Sequence, residues 1–241
     1  MNKESFISNL ENAFSQNSLS EYLTKESAEK LYFLAELLIN TNKEYNLTAI
    51  TDENEIILKH FIDCAVVLPY IKEGASLIDV GCGAGFPSLP IAILRKDVKV
   101  TAIDSTGKKI LFVSKAANDL CLDNVVAYCA RAEDHVKLGR EDFDVCTSRA
   151  VASLNLLDEL CLPFVKLGGL FIAMKSSKGS EEYEQASNGI VKLGGSLEEI
   201  KKLKLDFDGS TVERELYLIR KSSSTPPNYP RNYSQIAKKP L

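Results

Sequence analysis

The densest chemical signal in the chain is Leu77-Ile78-Asp79-Val80-Gly81-Cys82-Gly83-Ala84-Gly85-Phe86-Pro87. Three glycines at alternate positions follow an apolar run and precede a proline, a favoured first residue of a helix. Glycine permits a tight turn and lets the main chain approach a ligand with no Cβ in the way. The run therefore reads as a nucleotide-binding turn between a strand and a helix. Its spacing narrows the ligand, because a dinucleotide fold carries G-x-G-x-x-G and the place of its third glycine is taken here by Phe86. That counts against a nicotinamide- or flavin-dependent oxidoreductase.

S-adenosylmethionine has no pyrophosphate to cradle, and an acid ahead of the turn, Asp79, suits a ligand bearing an ammonium and a sulfonium. The pattern resembles the cofactor loop of Rossmann-like methyltransferases. Asp104, at the end of the next apolar run, stands where an acid accepts hydrogen bonds from two ribose hydroxyls. After the third run, Ala130-Arg131-Ala132-Glu133-Asp134 is placed to meet the adenine edge, with Ala132 and Glu133 as contacts. The expected cofactor site is thus Asp79, Gly81, Gly83, Gly85, Phe86, Asp104, Ala132 and Glu133. All lie at strand ends, on the edge where ligands bind in such sheets. The fourth run ends in Ser148-Arg149-Ala150, with neither the Asn/Asp-Pro-Pro-aromatic tetrapeptide of exocyclic-amine methylation nor a Pro-Cys nucleophile. Arg149 is the informative residue there: a guanidinium holds a phosphate or the N7/O6 edge of guanine, whose two atoms are both acceptors.

Positioning these residues takes alternating strands and helices. SLIDVGC, VKVTAID, VVAYCA, DFDVCTS, GGLFIAM, SLEEIKKLKL and RELYLIR read as seven strands. Helical patterns over 87–95, 108–120, 154–165 and 181–193 fall between most of them, which predicts a parallel sheet with helices on both faces. The link DFDGSTVE is too short for a helical crossover, so the last strand is expected to be antiparallel. Before the sheet, residues 27–40 and 53–68 carry apolar positions at helical spacing, with His60 and Asp63 on one turn as a packed face or a lid over the pocket. The division expected is a helical extension over 1–74, a Rossmann-like core over 75–221 and an extended basic tail over 222–241.

Composition bounds the rest. The 29 Lys plus Arg against 33 Asp plus Glu give a formal charge of −4, so any nucleic-acid site must be local. The candidates are Arg131, Arg149, Lys175, Lys178, Arg231, Lys238 and Lys239, with Tyr229 and Tyr233 interleaved for stacking on bases. The six cysteines form no C-x-x-C pair and only two histidines could join them, so no metal site is expected. No apolar run approaches a membrane span and the first residues lack a secretory layout, which predicts a cytoplasmic protein with no membrane partner.

Asn42-Lys43-Glu44-Tyr45-Asn46-Leu47-Thr48, Lys59-His60-Phe61-Ile62-Asp63-Cys64, the glycine turn, Asp104-Ser105 with Lys108-Lys109, Ser148-Arg149-Ala150 and Tyr229-Pro230-Arg231 together resemble one family more closely. It is the bacterial small-subunit rRNA methyltransferase G family, also called glucose-inhibited division protein B. The resemblance runs from Thr41 to Leu241 and implies a class I S-adenosylmethionine-dependent α/β fold. The implied activity is methylation of guanine N7 in 16S ribosomal RNA, naked or in a ribosomal particle, by a monomer that does not act on DNA. Gly81, Phe86, Ala132, Glu133 and Arg149 fall on the family's cofactor-binding positions, and Arg149 is the residue expected to orient the reaction. The competing readings are a methyltransferase of the same fold acting on a protein or small molecule, and a non-enzymatic RNA-binding module.

Overall fold

The computed structural model describes residues 1–149, 152–176 and 180–241. The helices ahead of the sheet start where side chains cap them. Asn2 accepts from Ser5 N–H at the head of α1 (Lys3–Gln16). Thr24 and Ser27 form a reciprocal capping box on α2 (Lys25–Asn42), and Asp52 caps α3 (Glu53–Ile56). The helix expected over 53–68 is not continuous. After α3 the chain widens into a π-helical turn, Ile57–Ile62, before α4 (Asp63–Ala65), and such widened turns concentrate at functional sites.

From Ser76 the alternation expected of the sequence is present. β1 (Ser76–Val80), α5 (Ser88–Leu94), β2 (Lys99–Asp104), α6 (Gly107–Asp119), β3 (Val125–Cys129), α7 (Ala132–His135), β4 (Phe143–Arg149), α8 (Leu154–Cys161), β5 (Val165–Ser176) and α9 (Ser180–Lys192) follow in order. The hairpin β6 (Gly195–Phe207) and β7 (Ser210–Lys221) closes the sheet. Among the described residues the strands form one seven-stranded sheet in the order β3-β2-β1-β4-β5-β7-β6. β1 to β5 pair in parallel, and β7 inserts antiparallel between β5 and β6. This is the α/β fold with an antiparallel last strand that the spacing implied. Edge strand β6 carries exposed Lys201, Lys202 and Lys204, which discourage further pairing.

Side chains one apart along a strand face opposite ways, and that periodicity divides the interior in two. Leu77, Val100 and Val145 pack toward α1, α2, α5 and α6, whereas Ile78, Ile103 and Cys146 pack toward α7, α8 and α9.

The residues after Lys221 depart from expectation, since they are not an extended arm. Arg140 donates to the carbonyls of Tyr229 (2.6 Å), Thr225 (2.9 Å) and Pro226 (2.9 Å), and Glu141 accepts the Thr225 N–H at 2.7 Å. A final helix, α10 (Tyr233–Lys238), buries Ile236 completely against the α8 side. Carbonyl hydrogen bonds and one apolar anchor hold a segment too poor in apolar residues to pack alone.

Candidate active site

The glycine turn leaves β1 in the left-handed region, with φ of 73° at Gly81, 57° at Gly83 and 83° at Gly85. The three glycines do different work. A Cβ on Gly83 would meet nothing within 4 Å, so its surface is open to a cavity, and its N–H donates to Asp104 Oδ2 at 3.0 Å. A Cβ on Gly85 would lie 2.6 Å from Leu89 Cδ1 and 3.2 Å from Val113 Cγ2, so that glycine lets α5 and α6 close on the turn. The Gly81 and Cys82 N–H groups both donate to the Ile103 carbonyl, which ties the turn to the end of β2.

Asp79 is not where the sequence reading put it. It shares the face of Leu77, lies wholly buried beneath the turn, and lines none of the cavities around it. Its carboxylate accepts from Ser88 N–H, Ser88 Oγ and Thr147 Oγ1, pinning the start of α5 to β4. Burial pushes its pKa up to about 6, against the hydrogen bonds from Ser88 and Thr147. An acid in this position braces the turn from below.

Two cavities lie along the carboxyl edge and share Gly81 and Asp104. One, of about 230 Å³, has an apolar floor of Val80, Ile103 and Leu160 and a rim that includes Arg131, Ala132, Glu133 and Tyr233. The other, of about 330 Å³, is lined by Gly83, Phe86, Lys109, His60, Thr48 and Arg149 among others. Asp104 stands between them. Its Oδ1 accepts from Thr106 N–H at 2.8 Å and its Oδ2 from Gly83, and each oxygen keeps a lone pair. Of the expected cofactor set, Gly81, Gly83, Phe86, Asp104, Ala132, Glu133 and Arg149 line the two cavities. Asp79 and Gly85 support them from behind.

Arg149 is a clamp rather than a free cation. It donates to Asp63 Oδ2 (2.9 Å), the Lys59 carbonyl (3.0 Å), the Phe86 carbonyl (3.3 Å) and His60 Nδ1 (3.2 Å). Burial opposes its charge, yet the acidic groups around it, Asp63 among them, hold its pKa above the ordinary value. Asp63, also buried, takes Arg214 Nε on its other oxygen at 2.7 Å. Because Arg149 can only donate, His60 Nδ1 is the acceptor, which leaves the proton on Nε2, facing Thr48 Oγ1 at 3.2 Å. Burial first, and then the charge of Arg149, push the His60 pKa down to about 3, so the ring is neutral. It stacks on Phe86 with centroids 4.4 Å apart. Asn42 completes the brace: its Oδ1 accepts from the Leu47 and Thr48 N–H groups and its Nδ2 donates to the Thr48 carbonyl.

The cations proposed for RNA separate into two groups. Lys175 is paired with Glu182 at 2.7 Å, and Arg231 forks onto the buried carboxylate of Glu159, with Nε 2.9 Å from Oε1. Both are tied into the fold by these ion pairs. Arg131, Lys238 and Lys239 are exposed, while Lys178 lies outside the described residues. The sequence reading gave three participants no place at the cavities. Lys109 lines the second cavity, Lys108 stands 5.5 Å from the centroid of the exposed Tyr45 ring, and Tyr233 reaches the first cavity from α10. Lys108 and Lys109 follow Asp104 closely enough that the turn spacing could have flagged them. The sequence singles out Tyr233 only for stacking on RNA bases and does not place it at this cavity. Among the described residues no three His, Cys, Asp or Glu side chains gather as a metal site.

The sequence model of the rRNA small subunit methyltransferase G family matches residues 27–215. The chain belongs to this family. Within the methyltransferase G family it is 42% identical over 229 residues to a relative from Clostridium perfringens strain SM101, covering 93% of this chain and 95% of that one. It is 43% identical over 249 residues to one from Lactobacillus helveticus, covering all of both. Both relatives bear the name ribosomal RNA small subunit methyltransferase G. Solved structures share the fold at lower identity. An S-adenosylmethionine-dependent methyltransferase from Aquifex aeolicus superposes with a TM-score of 0.53 at 19% identity, over 75% of this chain and 97% of that one. A precorrin-6y C5,15-methyltransferase from Geobacter metallireducens gives 0.51 at 14%, over 65% and 85%.

Proposed function

We propose that this protein transfers the methyl group of S-adenosylmethionine to N7 of a guanine in 16S ribosomal RNA, acting in the cytoplasm. The observation that carries the reading is the paired cavity around Gly81, Gly83 and Asp104 in a chain of the methyltransferase G family. The residues fit the cofactor. Gly83 leaves room where any side chain would intrude, Asp104 keeps acceptor capacity for a diol, and the apolar floor beside Glu133 suits a flat base.

Bound S-adenosylmethionine supplies an electrophilic methyl group on a sulfonium. Guanine N7 has an in-plane lone pair at neutral pH, so no proton has to leave before attack and no general base is needed. The residues agree with that requirement: His60, with its pKa near 3 and both ring nitrogens engaged, does not exchange protons in the working range. The role expected of Arg149 is correspondingly refined. It fixes Phe86, Lys59, His60 and Asp63 relative to the turn, and its contribution to rate is positioning. RNA would meet the exposed cations beside the cavities, Arg131, Lys108, Lys238 and Lys239, together with Lys109 at the pocket wall and Tyr45 for stacking.

The test is methyl transfer from labelled S-adenosylmethionine to small ribosomal subunits and to naked 16S RNA, with the product mapped by chemical cleavage at N7-methylguanine. Label at a single guanine N7 is expected. Label on protein alone, or on a guanine exocyclic amine, would overturn the reading.

A further inference from the structure

The first cavity has a wall that comes from far along the chain. Tyr233 lines it together with Val80, Ile103 and Leu160, and keeps 40% of its surface exposed. Its backbone N–H donates to Glu133 Oε1 at 3.2 Å, and the Arg131 guanidinium lies 5.7 Å from the centroid of its ring. The side chain is therefore aimed by contacts made on both sides of it. What holds it is firm. Two residues earlier, the Arg231 main-chain N–H and guanidinium both bind Glu159, which has no exposed surface, and three residues later Ile236 is fully buried. Between them Asn232 caps the turn by accepting the Gln235 N–H. None of this fastening uses the phenol ring, which lines the cavity with the Arg131 guanidinium beside it. A cavity lined by Val80, Ile103 and Leu160, by the carboxylates of Asp104 and Glu133 and by a half-exposed aromatic ring suits a flat, nitrogen-rich ring.

We propose that Tyr233 is a cofactor-binding residue, its ring covering the adenine of S-adenosylmethionine in the Val80–Ile103–Leu160 cavity, and that docking of the segment after Lys221 completes the site. The proposal rests on the S-adenosylmethionine reading above. It reverses the part expected of this segment from its sequence: residues 222–241 serve the cofactor first, and only the exposed lysines of α10 are available to RNA. It also gives Glu133 two tasks, to hold the Tyr233 N–H through Oε1 and to line the cavity.

Calorimetric titration of the full chain with S-adenosylhomocysteine tests this. Tyr233→Ala should weaken binding by roughly 5- to 100-fold, the range for losing one base–aromatic stack. Tyr233→Phe should stay within about twofold, because the ring and not the hydroxyl is at work. Both variants should melt near wild type without ligand, and Lys238→Ala with Lys239→Ala should leave cofactor affinity unchanged. The chain contains no tryptophan, so Tyr233→Trp supplies a single indole at the site, whose emission should change as S-adenosylhomocysteine is added. A folded Tyr233→Ala protein that binds as tightly as wild type overturns the proposal, as does a Tyr233→Trp protein that binds in the calorimeter with no change in emission. If wild type itself takes up no S-adenosylhomocysteine, the cofactor reading fails and the proposal goes with it.

Discussion

Asp158 on α8 makes the stability of this protein fall as pH rises through neutrality. Its side chain is wholly buried; Oδ1 accepts the Glu159 N–H at 2.6 Å, while Oδ2 has no hydrogen-bond partner among the described residues. Across from Oδ2 is Gly189 of α9, where a Cβ would approach to 2.6 Å. Burial, aided by the charge of Glu159 and opposed by the Glu159 N–H and Arg231, pushes the Asp158 pKa from 3.8 up to about 8. The folded chain therefore keeps a proton that the unfolded chain releases above pH 4. Stability is unaffected below that value, falls by about 1.4 kcal/mol per pH unit above it, and levels off past pH 8. Between pH 6 and 8 the loss comes to about 2 kcal/mol, or about 4 to 8 °C in melting temperature for a chain of this size. Other shifted groups leave that window largely clear. Asp79, with its pKa near 6, is half titrated at the lower edge of the window and acts in the same sense, costing only about 0.4 kcal/mol more above it, His60 and His135, both lowered by burial, act in the opposite sense around and below their unfolded value near 6.5, and the buried thiols Cys64 and Cys82, pushed upward by burial, matter only above their ordinary value of 9. The assay is thermal melting of wild type and Asp158→Asn at pH 6, 7 and 8. The slope is the readout, since the new amide also alters packing. Wild type should lose stability across the series and the variant should lose much less. Parallel lines would mean that Asp158 is ionised in the folded protein, and the argument from its unpartnered oxygen would be wrong.

Three further outcomes are expected. Asp63→Ala strands two partly buried guanidinium groups, Arg149 and Arg214, and should cost about 3 kcal/mol in denaturant unfolding; a loss under 1 kcal/mol would show that the clamp is not held by charge. Gly83→Val should abolish S-adenosylhomocysteine binding in a protein that still folds, whereas Gly85→Ala, which meets Leu89 and Val113, should lower the melting temperature more than it lowers affinity; the reverse ranking would contradict the roles assigned to the two glycines. Single-turnover methyl transfer by His60→Ala should stay within about tenfold of wild type, ~1.4 kcal/mol, with little pH dependence between about 6 and 9. A thousandfold loss with an inflection near the ordinary histidine pKa would point to proton transfer and away from N7.

Much of this architecture can be read in the chain before any coordinates, and what cannot has a physical cause. The strands are legible because parallel strands buried on both faces are near-continuous apolar runs, and Asp104 and Glu133 are legible because each follows such a run directly. Asp79 misled for a reason that charge type cannot reveal. A displacement of one residue along a strand exchanges the two faces, and Asp79 falls on the side of α5. Arg149 is legible at the end of an apolar run, but its partner Asp63 lies 86 positions away just after a turn whose π-helical register breaks the helical spacing. The segment after Lys221 was read as extended because its fastenings, a guanidinium on three carbonyls and another on a buried carboxylate, leave no periodic trace.

The wide separation in sequence of the walls of the first cavity bears on how the protein comes into being. Tyr233 and Glu133 are 100 positions apart, and Arg231 and Glu159 are 72 apart. During synthesis the glycine turn and Asp104 emerge early and have their local partners at once, whereas the ring that faces them is made on the order of ten seconds later. A nascent chain thus holds half a pocket through most of its elongation, and its affinity for the nucleoside arrives abruptly, near the end. Loss of the residues after Lys221 would remove that wall together with the cation that pairs the buried Glu159 carboxylate, so ligand affinity and stability would be lost together.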